Sequence, residues 1–599
     1  MKSFLVLLFA LFTLGVTAAD KPNVVIVITD DQGYGDLSCH GNPILKTPHI
    51  DSLASESVRL DDYHVAPTCS PTRCAFLTGH WTNRTGVWHT IMGRSMLREN
   101  EVTIGQIFKE SGYATGMFGK WHLGDNYPFR PEDRGFTEVL RHGGGGVGQT
   151  PDYWDNAYFD GSYFHNSKPV PVKGFCTDVF FDYAKKFIEQ QVEEEKPFLA
   201  YISTNAPHGP MHAPEDYADP YLKQTNLKTA HFFGMIANID DNVGAMREWL
   251  EEKGLAENTI FIFTTDNGSS AGTKVHPAGM RGGKGSPYDG GHRVPFFMHW
   301  PKGGFDKEQY IKPITAHVDI VPTLIDLCGV EAPEGVKFDG VTIRPLLESK
   351  DTSNWPDRIL VTDSQRVKDP IKWRQSSVMT SDWRLVSGND KKGTPYHELY
   401  SIKSDPGQKT NVIKDYPEVA GRLKEFYENW WDEIEPTFGD PARIKIGHPQ
   451  ENPSRLTSHD WIAETMVPWN QSHIRQGVDQ PGHTGFWYLD IVEGGDYTIE
   501  LRRWPNEGPV SEKAITDGIP PGDLVPGEKP FRATPGRAIE ADVATIDIGG
   551  KEMEMPIPEG AGSVTFKLAL DAGPTKLTAR FNGSDGAVTG AFYAYVTRL

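Results

Sequence analysis

Asn23-Val24-Val25-Ile26-Val27-Ile28-Thr29 runs straight into Asp30-Asp31-Gln32-Gly33-Tyr34-Gly35-Asp36. The first segment is an unbroken apolar run rich in β-branched residues, which reads as a strand buried on both faces of a parallel or mixed sheet. Acidic residues at the C-terminal end of such a strand, followed by glycines, stand where open α/β sheets place their ligands. Two adjacent carboxylates repel one another unless a proton or cation lies between them. A divalent, oxygen-preferring metal at Asp30 and Asp31 meets that need. An Asx turn capping the next helix is the other reading.

The same pattern recurs along the chain. Tyr113 to Phe118 reads as a strand and leads into Gly119-Lys120-Trp121-His122-Leu123-Gly124. In extended backbone Lys120 and His122 share a side, so together they can grip an anion. Pro197 to Thr204 is another apolar strand and ends in Asn205-Ala206-Pro207-His208-Gly209-Pro210. His208 there suits proton transfer near neutral pH. Asn258 to Thr265 is a further buried strand, closed by Asp266-Asn267-Gly268. Asp30, Asp31, Asp266 and Asn267 form a hard-oxygen set suited to Ca²⁺ or Mg²⁺ and unsuited to a zinc site of His and Cys. Helical spacing over 177–192 and 232–250 completes an α/β class: a large, mostly parallel mixed sheet flanked by helices. The Asp240-Asp241 pair on the second helix reads as a capping or ion-pair feature.

Cys69-Ser70-Pro71-Thr72-Arg73 continues as Cys74-Ala75-Phe76-Leu77-Thr78-Gly79. Pro71 suits the first turn of a helix, which puts Cys69 at its N-terminus. Unpaired backbone N–H groups and the helix dipole favour anions there, and Arg73 adds a charge one turn on. A buried structural thiol beside an arginine is the plainer alternative.

This run resembles the signature of the sulfatase family: cysteine, any residue, proline, any residue, arginine, then leucine-threonine-glycine. The Gly-Lys-Trp-His-Leu-Gly run and the Asp-Asp pair match that family too, and the resemblance extends from about residue 22 to 435. It implies an alkaline-phosphatase-like fold and a formylglycine made from Cys69 by a maturation enzyme. It places metal ligands at Asp30, Asp31, Cys69, Asp266 and Asn267, with Ca²⁺ or Mg²⁺ as the ion. Arg73, Lys120, His122, His208 and Lys284 (in Arg281-Gly282-Gly283-Lys284-Gly285-Ser286) take catalytic roles, with Lys120, His208 and Lys284 on the sulfate. His292 is added as a candidate substrate contact, while His317 and Asp319 are structural. The implied substrate is a sulfated small molecule or glycan. Rival readings are a phosphonate or phosphate ester hydrolase of the same superfamily, and a catalytically silent carbohydrate-binding relative.

Composition bounds the rest. The 599 residues carry a formal charge of −20, so nucleic acid is excluded as a partner. Residues 1–19 have the basic start, apolar core and small-residue cleavage site of a secretory signal, and no later stretch is apolar enough to span a membrane. The expected units are a catalytic domain over 20–345, an α+β sub-domain over 346–440 and an accessory β-sandwich over 445–599. In the second, Val378 to Val386 and Glu398 to Tyr400 read as antiparallel strands. In the third, Trp487, Tyr488 and Trp504 would either bind carbohydrate or buttress the catalytic domain. Aromatics of the loop 125–177, among them Trp154, Tyr158 and Tyr163, would either stack on sugars or pack the loop down. Five cysteines leave room for one or two disulfides.

Overall fold

The computed structural model describes residues 21–349, 351–390, 392–477 and 484–599. The secretory-signal reading of residues 1–19 lies outside them. Among the described residues no helix is long and apolar enough to cross a membrane.

A ten-stranded mixed sheet organises the first half of the chain. Its centre consists of Thr259–Thr265, Asn23–Thr29, Phe198–Ser203 and Ala114–Gly119, side by side and all parallel. Every residue of these strands is buried except Asn23 and Ala114, as expected of strands covered on both faces. One flank adds Phe296–His299 antiparallel, then Val58–Leu60 and Gln309–Ile311. The other adds Glu138–Arg141 parallel, then the hairpin Ser162–His165 and Lys168–Pro171. Two apolar clusters cover the faces. One holds Val24, Ile26 and Ile28 with Phe76 and Leu77; the other holds Val25 and Val27 with Phe180, Phe232 and Ile236. The alternation of Asn23–Thr29 between these clusters is what a two-faced strand requires.

The helix Cys69–Thr78 is buried along its whole length. Thr68 precedes it with extended backbone, and Gly79 closes it in the left-handed conformation at φ 73°.

The α+β region is a four-stranded antiparallel sheet under the helix Pro417–Ile434. The single strand expected over Val378 to Val386 is two, Ser376–Met379 and Trp383–Asn389, paired antiparallel around a turn. Thr380 makes that turn: its Oγ1 accepts from the backbone N–H groups of Asp382 and Trp383. Arg384 ties this sheet to the first domain through Asp62 at 2.7 Å and Asp289 at 3.0 Å.

The C-terminal region holds two further sheets sharing one core, in which Trp487 and Leu577 of one meet Ile499 and Val596 of the other. Pairing is antiparallel except where Ile444–Ile446 joins Phe486–Ile491. Trp487 and Trp504 are fully buried, which rules out a carbohydrate-stacking role for either. The same core takes in Ile91, Met92 and Trp154 from the first half of the chain, so the β-sheets buttress that half directly. Trp154, Tyr158 and Tyr163 are likewise buried, and they pack the 125–177 loop down. All five cysteines are free thiols.

Candidate active site

The four central strands end at one rim. Thr29 is in register with Thr265, and Ile28 and Gly119 are both in register with Ser203. The residues that follow therefore leave the sheet at one level: Asp30-Asp31, Asp266-Asn267, Lys120 to His122, and the turn 205–208. This is the crevice outside the carboxyl ends of the strands. The N-terminus of Cys69–Thr78 faces it.

Ligand atoms of Asp30, Asp31, Cys69 and His208 all lie within 4.8 Å of one another. Cys69 Sγ is 3.9 Å from Asp31 Oδ1, and His208 Nε2 is 3.9 Å from Asp31 Oδ2. Asp266 stands beside this group. Its Oδ2 accepts from Arg73 Nη2 at 2.7 Å and Nε at 3.0 Å, and its Oδ1 accepts from the Asp31 backbone N–H at 3.1 Å. Asn267 Nδ2 donates to Asp31 Oδ1 at 2.9 Å. Lys120 Nζ lies 2.5 Å from Asp30 Oδ2, and Lys284 Nζ lies 2.6 Å from Asp31 Oδ1. Three carboxylates and three cations thus occupy a site in which Asp30, Lys120, Arg73 and Asp266 are wholly inaccessible to solvent.

Two oxygens in this cluster have no donor among the described residues although they are buried: Asp30 Oδ1 and Asn267 Oδ1. A buried oxygen without a partner costs about 1–3 kcal/mol. A hard divalent cation among Asp30, Asp31 and Asn267 would satisfy both atoms and draw its ligands from oxygen, as Ca²⁺ and Mg²⁺ require. The residues present fit such an ion.

Electrostatics differ sharply within a few ångströms. Burial alone would raise the Asp31 carboxyl, but the charges of Lys284 and Lys120 overcome it and hold Asp31 well below the usual carboxylate range. Burial and the charge of Asp30 push the Cys69 thiol up to about 12. As an unmodified side chain it is a poor thiolate nucleophile. Burial and Lys120 hold His122 well below its ordinary value. His122 Nε2 donates to the Thr90 carbonyl at 2.8 Å, so the proton sits on Nε2. Its buried Nδ1 has no partner among the described residues and is free to accept one. Burial and Lys284 bring His208 down to about 3. Its Nδ1 bonds the Gly209 carbonyl at 2.7 Å, leaving Nε2 toward Asp31.

Asp31 and His122 both hold positive φ, at 68° and 62°. Backbone strain of this kind costs on the order of 1–3 kcal/mol per residue and persists only where neighbours over-determine it. The glycine run 143–146 is part of that constraint. A Cβ at Gly145 would stand 2.2 Å from His122 Cε1, so only glycine lets the loop cross the imidazole.

A cavity of about 300 Å³ opens over the cluster, with Cys69, His122, His208 and Lys284 in its wall. His292 is not there. It is fully buried, with Nδ1 2.9 Å from His64 Nδ1 and Nε2 on the Pro287 carbonyl, and that packing corrects its reading as a substrate contact. Other wall residues were not legible in the sequence: His89 and Gln149 in irregular loops, Arg366 in a connector, and Met466 and Trp469 from the C-terminal region. No periodicity marks any of them. His459, also C-terminal, reaches within 6.2 Å of the His122 ring, centroid to centroid. The Asp240-Asp241 pair lies elsewhere. Asp240 accepts from the backbone N–H groups of Ile50 at 2.7 Å and His49 at 3.2 Å, the capping role its position implied.

Comparison with known proteins identifies the family. The Sulfatase family model matches residues 22–330, and a model described as N-sulphoglucosamine sulphohydrolase, C-terminal, matches 284–431. Human arylsulfatase A is 28% identical over 455 residues, covering 69% of this chain and 88% of its own. Arylsulfatase G of Rattus norvegicus is 31% identical over 380 residues, covering 56% of this chain and 70% of its own. The solved structure of Ps i-CgsB in complex with k-i-k-neocarrahexaose matches with a TM-score of 0.62 and 26% identity, over 68% of this chain and 92% of that one. With more than half of its length matched by one family model, and the family's fold around it, this chain belongs to the sulfatase family and is a sulfuric ester hydrolase.

Proposed function

We propose that this chain is an exported, formylglycine-dependent sulfatase that cleaves the S–O bond of sulfated glycans. The observation that carries the reading is the placement of Cys69. It stands at the first turn of a buried helix, 3.9 Å from Asp31, in the wall of the cavity that also exposes Lys284, His122 and His208. A thiol pushed to about 12 does little there as it stands, whereas an aldehyde hydrate at that position supplies an oxygen nucleophile. Asp30, Asp31 and Asn267 would hold a Ca²⁺ or Mg²⁺ ion, with Asp266 beside them. That ion supplies Lewis-acid polarisation and lowers the pKa of bound hydroxyls.

The chain's own groups do the remainder. Lys284, in the cavity wall, balances charge on the sulfuryl oxygens, and Lys120, buried against Asp30, adds its field from behind. Arg73, locked by two bonds to Asp266 Oδ2, fixes the helix N-terminus against the strand ends. His122 Nδ1, unpartnered and neutral, takes the proton whose loss releases sulfate. His208 Nε2 carries a proton to the departing alcohol. It is neutral in the free protein, and it gains that proton only with an anionic ester beside it to offset Lys284. The glycan assignment draws on Ps i-CgsB, solved in complex with k-i-k-neocarrahexaose, and on the cavity over the cluster.

The test is co-expression with a formylglycine-generating enzyme. Mass analysis of the peptide containing residue 69 is expected to show the aldehyde, and N-terminal sequencing of exported protein to begin after residue 19. Sulfate release is then assayed over carrageenans, chondroitin sulfates and heparan sulfate, with phosphodiesters in parallel. Conversion of the phosphodiesters at higher kcat/KM than any sulfate ester would overturn the assignment.

A further inference from the structure

The C-terminal β-region does more than buttress, because part of it faces the reacting groups. Trp469 and Met466 line the same cavity as Cys69, and Arg366 lines it from the α+β region. Trp469 is half-buried and held in place. The rings of Phe531 and His473 stand nearly perpendicular to it at 5.8 and 5.6 Å. Its carbonyl accepts from the Thr150 N–H at 3.0 Å, and Thr150 Oγ1 donates to the Pro468 carbonyl at 2.8 Å. Gln149, another wall residue, pairs with Asn470 across the same junction. The indole is therefore fixed relative to the catalytic loops, although more than three hundred residues separate it from them in sequence.

Arg366 is exposed and holds a left-handed backbone at φ 46°, with its N–H on the Trp88 carbonyl at 3.1 Å. Arg73, Lys120 and Lys284 all sit on carboxylates, whereas Arg366 makes no ion pair among the described residues. Its neighbour His89 adds no charge, since burial and Arg366 bring that imidazole down to about 3. In a chain of net charge −20, an unpaired guanidinium beside the reacting cavity is the feature that would retain a second anion. Indole surfaces bind the apolar face of a sugar ring, and guanidinium groups bind sulfate and carboxylate bidentately.

We propose that Trp469 and Arg366 form a leaving-group subsite. The sugar released from sulfate rests on the indole, and a second anionic group of the same glycan, sulfate or carboxylate, binds the guanidinium. The preferred substrates are then oligosaccharides with more than one negative charge. This rests on the glycan reading above, and it assigns to the C-terminal region a part in choosing substrate.

Binding to a C69A background, which cannot mature or turn over, separates the two. Calorimetric titration uses tetrasaccharides of carrageenan, chondroitin sulfate and heparan sulfate, with thermal unfolding as the check on folding. At least one tetrasaccharide is expected to bind. Adding W469A weakens it about tenfold, which is roughly 1.4 kcal/mol, and W469Y recovers most of the loss. R366Q lowers the affinity to that of the same tetrasaccharide stripped to one sulfate and flattens the salt dependence. The proposal is overturned if no tetrasaccharide binds, if W469A matches its parent, or if W469Y is no better than W469A. It is also overturned if R366Q weakens singly and multiply charged forms alike. A matured wild-type chain that binds these glycans through Trp469 but releases no sulfate from them would refute the glycan-sulfatase reading and leave the subsite standing.

Discussion

Two of the chain's neighbouring-aspartate pairs, Asp30-Asp31 and Asp240-Asp241, look alike in sequence and do different work. The first pair ends a central strand. It gathers Lys120, Lys284, Cys69 and His208, and it leaves Asp30 Oδ1 without a donor. The second pair lies inside the helix Leu227–Glu252, where both Asp240 oxygens are taken up by the first turn of the helix Pro48–Ser55. Asp241 faces outward to Tyr217 Oη at 2.8 Å and to His49 at 3.8 Å. Carboxylate proximity by itself therefore says little. What sets the first pair apart from the second is an oxygen left unsatisfied where burial makes that costly, in a cluster where two lysines, a thiol and an imidazole from four other segments meet beside a cavity.

Substitutions turn this contrast into numbers. Asp31→Ala removes the carboxylate nearest Cys69 and is expected to lower kcat/KM for sulfate esters by about 10³-fold or more. Asp240→Ala should leave kcat/KM at the wild-type value, and equal losses in both variants would break the distinction. Lys284→Ala should cost about 10²–10³-fold, the scale of losing one preorganised charge from a transition state. Gly145→Ala drives a methyl against His122. It should lower kcat about 10²-fold with little change in KM, as expected when a reacting group is displaced by an ångström.

The smallest effects belong to the helix-bound pair. Asp240→Ala should cost about 1 kcal/mol of stability, the value of a helix cap, read as a lower Tm. Burial raises Asp240 to about 7, against 3.8 for a free carboxyl. The unfolded chain gives up that proton first. The stability that protonated Asp240 contributes is thus complete below about pH 3.8 and is lost as pH climbs through about 7. Thermal unfolding from pH 5 to 8 should therefore fall more steeply for the wild type than for Asp240→Asn, whose amide cannot ionise.

Strand ends were legible because a buried parallel strand cannot alternate. Asn23–Thr29, Thr259–Thr265 and Phe198–Ser203 announce themselves as apolar runs, and whatever follows them must emerge at the rim. Cys69 at a helix start was readable from Pro71. The hairpin within Val378 to Val386 was not, since its turn relies on the Thr380 side chain and carries no glycine. The environment of His292, a ring contact with His64 on a distant strand, leaves no local trace in the sequence, so burial and substrate contact look alike there. Trp469 was invisible for the same reason. An aromatic in a C-terminal loop gains meaning only through hydrogen bonds to Thr150, which tertiary folding alone brings near.

The most direct measurement is metal content per chain after exhaustive dialysis, by plasma emission spectroscopy, on wild type, Asp31→Ala and Asp240→Ala. The account predicts about one Ca²⁺ or Mg²⁺ in wild type and in Asp240→Ala, and none in Asp31→Ala. Retention of the ion by Asp31→Ala, or its loss from Asp240→Ala alone, would contradict it.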